Sequence, residues 1–168
     1  RDDGGRSLYG SMLRQVRAAG GRVAGVLWYH GETEGFEQEP SPFRERFHAL
    51  VANMRLDFGA PDLPFLYVQI GRTVIPEVPP ARWTQIRELQ RTALGELKHA
   101  AMVAAVDLPL DDAIHIATPG LTVLGERLAR QALRVAYGRT KMGPGPQFAR
   151  ADVEGEKRDR VRAWFTGG

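Results

Sequence analysis

The stretch Val23-Ala24-Gly25-Val26-Leu27-Trp28-Tyr29-His30-Gly31-Glu32-Thr33 decides the fold. Its apolar and aromatic run stops abruptly at His30, Gly31 and Glu32. The run is too short to cross a membrane and predicts a strand buried on both faces. Gly31 lets the backbone turn tightly after it. In an open α/β sheet, ligands bind just past the carboxyl ends of the strands. Any chemistry is therefore expected around residues 30–32.

The rest of the chain alternates strand and helix around this stretch. Upstream, residues 1–6 are charged and Gly-rich and predict a loop. Ser7 predicts a cap for a helix with Leu8, Met12, Leu13 and Val16 on its apolar face, ended by Gly20-Gly21. Downstream, residues 33–40 predict a polar loop. Ser41 then predicts a cap, with Pro42 at the first helical position. Phe43, Phe47, Leu50, Val51 and Met54 share one helical face, and Gly59 and Pro61 stop that helix. Residues 64–70 predict a second strand, ended by Gly71. The proline-rich residues 72–80 predict a loop. A helix is expected from about Ala81 to about Lys98, with Trp83, Ile86, Leu89, Ala93, Leu94 and Leu97 inward. A third strand is expected at 101–106 and a loop at 107–119. Thr118 and Pro119 are expected to cap and open a last helix, buried through Leu121, Leu124, Leu128, Ala132 and Val135 and closed by Gly138. Strands alternating with helices imply right-handed βαβ units and a parallel sheet.

Composition narrows the function classes. At 168 residues the chain has the length of one domain and can bury a core. No segment is apolar for long enough to span a bilayer. The absence of cysteine excludes disulfides, thiolate catalysis and Cys-based metal sites. The formal net charge is +3, with one denser basic patch at Lys157 to Arg162. No basic stripe or nucleic-acid motif accompanies it, so a nucleic-acid partner is not expected. The tail changes character: Met142-Gly143-Pro144-Gly145-Pro146 is linker-like, and Val153 to Phe165 predicts a hairpin turning near Gly155.

Two groups of residues could carry chemistry. Asp112 and His115 stand three apart on a turn leading into a helix. A carboxylate on one imidazole nitrogen fixes the tautomer and leaves the other nitrogen free as a base. Ester hydrolysis needs that base to take a proton from a hydroxyl and return it to the leaving alcohol. The plainer reading makes Asp112 a turn cap and His115 a surface histidine. Asp111, four residues from His115, is a second candidate orienter. His30 and Glu32 form the other group, with Gly31 allowing close approach of a substrate. The serines are Ser7, Ser11 and Ser41. Ser7 and Ser41 fit caps, and Ser11 falls inside a helical pattern with no G-x-S-x-G elbow around it.

Three blocks in order resemble one family. Trp28-Tyr29-His30-Gly31-Glu32 resembles the W-Y-Q-G-E block of the sialate O-acetylesterase and acetylxylan-esterase-like branch of the SGNH (GDSL-type) hydrolases. Leu8-Tyr9-Gly10-Ser11-Met12-Leu13 resembles its L-Y-N-x-M-I segment. Asp112-Ala113-Ile114-His115 resembles its D-x-x-H block, followed by a Gly-x-Arg-Leu-Ala helix at 125–129. The resemblance covers roughly residues 7–138.

The resemblance implies a three-layer α/β/α fold with about five parallel strands, of the flavodoxin-like kind. It implies a carbohydrate O-acetylesterase without cofactor or metal, acting on an acetylated carbohydrate. Asp112 and His115 would be orienter and base, and His30, where the family usually has glutamine, the oxyanion donor. Tyr9 would lie near the pocket, and Glu32 would organise the loop or contact sugar hydroxyls. The family's G-x-S-N nucleophile block is not found in the sequence. Residues 1–139 are therefore expected to be the later part of an esterase domain, incomplete at its N-terminus and inactive alone. Residues 140–168 are expected to be a linker and the start of a following β segment. The resemblance points to a secreted or periplasmic compartment, on which the residues themselves are silent. Two alternatives stand beside this reading. One is a metal-dependent hydrolase using His30, Glu32, Asp112 and His115. The other is a non-catalytic carbohydrate-binding protein.

Overall fold

The computed structural model describes residues 6–36, 42–139, 141 and 143–167. The expected loop at the extreme N-terminus, the later part of the 33–40 loop, the Ser41 cap and Met142 of the linker lie outside these residues. Helix α1 (Leu8–Ala18) precedes strand β1 (Val26–Tyr29), the short helix α2 (Glu32–Phe36) and helix α3 (Phe43–Asp57). Strand β2 (Phe65–Gln69), helix α4 (Pro80–Ala93), strand β3 (Ala100–Ala104) and helix α5 (Thr118–Val135) follow. A hairpin of β4 (Gln147–Glu154) and β5 (Arg160–Thr166) ends the chain.

The sheet has the order β1-β2-β3, and both pairings are parallel. Right-handed crossovers between strands laid down in one direction put both connecting segments on the same face. Accordingly α3 and α4 share a core with the side chains of one sheet face, Phe65 and Tyr67 flanked by Val26, Trp28 and Met102. Phe47 sits at its centre, edge-on to the rings of Phe65 and Tyr67 and stacked on Phe43. The opposite face buries Val68 and Val103 against Leu124 of α5, with Leu108 and Ile116. This is the expected α/β architecture, with helices on both faces of a parallel sheet.

Local corrections have physical causes. β1 is not buried on both faces: it is a sheet edge, and Leu27 is 65% exposed, because α5 packs chiefly on β3 and then β2. The first part of the expected 33–40 loop is helical, as α2 packs Gly35 against Trp83. A Cβ on Gly35 would come 2.4 Å from that indole, so only glycine fits. α4 stops at Ala93 instead of about Lys98, with Leu94 to Glu96 in turns around Gly95. Its inward face holds Gln90, while Leu89 is only half-buried. Thr118 is the first residue of α5 and not its cap; Ala117 takes the cap position with no side-chain hydrogen bond. Leu121 faces outward, and Gln131 takes a buried place on that helix. Ser7 does cap α1, accepting from the Gly10 N–H at 3.0 Å. The hairpin starts earlier than expected, at Gln147, and turns at Gly155 with φ +87°.

The packing at Phe47 yields a first prediction. Phe47→Ala removes the ring that joins α3 to β2 and should cost about 3–5 kcal/mol of unfolding free energy. Urea denaturation followed by circular dichroism measures it; a loss below about 1 kcal/mol would contradict this view of the core.

Candidate active site

The segment Leu110–Ile116 is closed on itself after β3. Leu110 and Ile116 form an isolated antiparallel bridge, and the Asp111 N–H donates to the His115 carbonyl at 2.9 Å. Buried Ile116 anchors the loop in the core below. The Val74 N–H donates to the Ala113 carbonyl at 2.9 Å, which ties the loop to the segment after β2. Arg72 follows β2 at the same end of the sheet. Its guanidinium donates to the carbonyls of Val106 and Leu108 and braces the base of the same loop.

Inside this loop Asp112 uses both carboxylate oxygens. Oδ1 accepts from the N–H groups of Ile114 at 2.9 Å and His115 at 2.8 Å, and Oδ2 lies 2.7 Å from Nδ1 of His115. Asp112 is thus both the turn cap and the imidazole partner, so the two readings of the motif are compatible. The Ile114 N–H, then the His115 ring and backbone, hold the Asp112 carboxyl down to about 2. The hydrogen bond and charge of Asp112, and then the charge of Glu32, raise the pKa of His115. Both side chains are open to solvent, 56% and 72% exposed. With Nδ1 held by Asp112, Nε2 is the nitrogen left for proton transfer. Among the described residues no hydroxyl is shown bonded to it. Asp111 takes no part in orienting the ring; its N–H helps to close the loop.

The other group sits past the carboxyl end of β1. His30 follows the strand, and its Nδ1 is 3.5 Å from Oε2 of Glu34. Gly31 is buried at φ +147°, where a Cβ would come 3.0 Å from both Gln90 Nε2 and Ile70 Cγ2. Glu32 opens α2, and the Tyr29 hydroxyl's pKa is pushed up by burial first and by the charge of this carboxylate second. The same carboxylate acts electrostatically on His115, which links the two groups. Tyr9 is placed elsewhere. Its hydroxyl donates to Asp57 Oδ2 at 2.9 Å, at the end of α3 that leads into β2. That is the amino end of the sheet, away from the Asp112–His115 turn. Among the described residues no three His, Asp or Glu side chains are grouped as a metal site, and both Asp112 oxygens are already engaged.

Residues missed in the sequence hold this end of the sheet together. Trp83 Nε1 and Arg87 donate to the Gly71 carbonyl, and Gln69 donates back to the Arg87 carbonyl. Gln90, fully buried, spans the ends of β1 and β2. Trp83, Ile86 and Gln90 recur at helical spacing, which was the available signal for an inward glutamine. Glu34, whose side chain is 12% exposed, stands four residues from His30, within one turn of α2.

Comparison with known proteins fits this geometry. Residues 2–134 match the family described as carbohydrate esterase, sialic acid-specific acetylesterase, and the chain belongs to that family. It is similar to a probable carbohydrate esterase of Arabidopsis thaliana, 29% identical over 135 residues, covering 77% of this chain and 48% of that protein. A crystal structure of a carbohydrate acetylesterase from Xanthomonas citri superposes with a TM-score of 0.73 at 30% identity, covering 95% of this chain and 35% of that one. A crystal structure of an Arabidopsis thaliana protein gives 0.66 at 30% identity, covering 79% of this chain and 54% of that one. The chain spans about half the length of the curated plant relative and about a third of the Xanthomonas protein.

The hydrogen bonds at Asp112 fix the sign of a pH effect. His115 is stabilised in its charged form, so its contribution to folding is present below the ordinary histidine pKa and fades as pH rises through the raised one. Asp112 contributes above the ordinary carboxylate range, and that contribution is lost as pH falls towards about 2. Asp112→Asn should therefore lower the His115 pKa, measured by NMR titration of its ring protons. An unchanged midpoint would show that the carboxylate does not act on the ring in solution.

Proposed function

We propose that this chain supplies the base and orienter of a serine esterase that removes acetyl groups from carbohydrate hydroxyls. The observation that carries the reading is the 2.7 Å contact between His115 Nδ1 and an Asp112 carboxylate already locked by two backbone N–H groups. Membership of the sialic acid-specific acetylesterase family supports the reaction class and an acetylated sugar as substrate. Nε2 of His115 takes the proton of a serine hydroxyl as its oxygen attacks the acetyl carbonyl. The same proton passes to the sugar oxygen as the acyl bond breaks. Water then enters by the same route in reverse, releasing acetate and the serine.

In this reading the nucleophile comes from residues outside 1–168. Ser7 is engaged as a cap and Ser11 lies inside α1. Residues 1–139 form the later part of the esterase domain, and 140–168 are a linker and the start of a further β segment. His30 is the donor to the developing oxyanion in this reading, supported by its place past the carboxyl end of β1 and next to the turn at Gly31. Glu32, whose charge acts on both Tyr29 and His115, organises the loop between the two groups.

The test uses a longer protein that includes the serine segment, assayed on p-nitrophenyl acetate and on an acetylated sugar. His115→Ala should lower turnover on the order of 10³-fold or more. Retention of most activity would rule out the assignment. His30→Ala should cost about 10²-fold in kcat, whereas His30→Gln should keep much of it. Complete loss in both variants would remove His30 from the oxyanion role. Binding of acetylated sugar without any turnover would favour the carbohydrate-binding alternative.

A further inference from the structure

Gln90 is a polar side chain placed where α4 should present an apolar one, and all its hydrogen-bonding groups converge on the strand ends. Its Oε1 accepts from the Ile70 N–H at 2.9 Å, and its Nε2 donates to the His30 carbonyl at 3.0 Å and the Val68 carbonyl at 3.3 Å. One acceptor and two donor hydrogens are what a primary amide offers, and each has a partner. The helix is itself fixed at this point, because the Tyr67 hydroxyl donates to the Gln90 carbonyl at 2.7 Å. A buried network satisfied in this way holds one geometry, since any other arrangement leaves a buried polar group unpaired.

The bond to His30 has a consequence beyond packing. The peptide joining His30 to Gly31 is planar and trans, so its C=O and N–H point in opposite directions. Pinning the His30 carbonyl towards α4 turns the Gly31 N–H away from it. A Cβ at position 31 would come 3.0 Å from Gln90 Nε2 and Ile70 Cγ2, and φ is +147°, so the close approach of this peptide to α4 requires glycine. His30 supplies the carbonyl of this peptide, so pinning the plane fixes the backbone on which its ring stands. We infer that Gln90 is a positioning residue for ester hydrolysis, holding the His30–Gly31 peptide so that the His30 ring and the Gly31 N–H face the reacting acyl group. This inference rests on the esterase reading above.

The experiment is a cycle of Gln90→Met, His30→Ala and the double variant in the longer, serine-containing protein, with the thermal midpoint recorded for each. Gln90→Met should lower kcat by about 10²-fold, the scale of a small displacement at a reacting centre, with KM little changed. The double variant should lose less than the product of the two single losses, because Gln90→Met misplaces the ring that His30→Ala removes and adds only the loss through the Gly31 N–H. Unchanged kcat at a temperature where the variant is folded would overturn the inference, as would losses that multiply. Should Gln90→Met fail to fold, Gln90→Asn keeps the amide but withdraws it by one methylene, and the same outcomes apply. If the unaltered protein hydrolyses no acetyl ester, the esterase reading itself fails. The geometric core of the inference is then judged on the Gly31 amide resonance, which must shift in the Gln90 variant; an unmoved resonance would overturn it.

Discussion

Strand β2 lies between two neighbours, and Phe65, Leu66, Tyr67 and Val68 are all fully buried. A strand in that position needs apolar cover on both faces and partners for every backbone group. Helices α3 and α4 provide the cover on one side and α5 on the other. Where β2 ends, the parallel ladder ends with it, and the carbonyl of Gly71 and the N–H of Ile70 are left in a dry setting. Side chains of α4 satisfy them: Trp83 and Arg87 reach Gly71, and Gln90 reaches Ile70. The same helix therefore builds the core and finishes the backbone at the carboxyl edge of the sheet, where the candidate site lies.

The candidate base needs no burial to be organised. Asp112 and His115 are exposed, yet the loop that carries them is closed by the Leu110–Ile116 bridge and anchored by buried Ile116. The carboxylate is aligned by backbone N–H groups of its own turn, so the orientation of the imidazole comes from local geometry rather than from surrounding side chains. The His30 side is organised in the opposite way. Its carbonyl and its neighbouring glycine are fixed from 60 residues away by Gln90, and its ring faces the carboxylate of Glu34. In one half of the site the candidate catalytic side chains are aligned by their own turn, and the other depends on α4.

Among the described residues, the strands leave apolar side chains open at β1 and on the hairpin. Leu27 and Tyr29 lie on the face of β1 opposite Val26 and Trp28, which pack into the α3–α4 core. The hairpin pairs Phe148 with Phe165 and Val153 with Val161, all exposed, while Arg150 stacks on Trp164 on its other side. Alternation of that kind is the pattern of a sheet with one face meant for cover.

The sequence by itself determined the alternating βαβ order, the three parallel strands within a residue or two at most ends, and the Asp112–His115 turn. These rest on short-range physics: apolar periodicity, Gly and Pro at turns, and a carboxylate three residues from an imidazole. Ser7 as a cap belongs to the same class. Tertiary structure decided the rest. Whether an apolar strand is central or an edge depends on what lies beside it, so the exposure of Leu27 could not be read from its own neighbours in the chain. That Gln90 faces inward could be guessed from helical spacing, but its purpose exists only where two strand ends and a helix meet. Tyr9 belongs to a segment that resembles a family block, yet it bonds to Asp57, 48 residues away, at the other end of the sheet. Local chemistry is written in adjacent residues; the partners of buried polar groups are set by which elements the fold brings together.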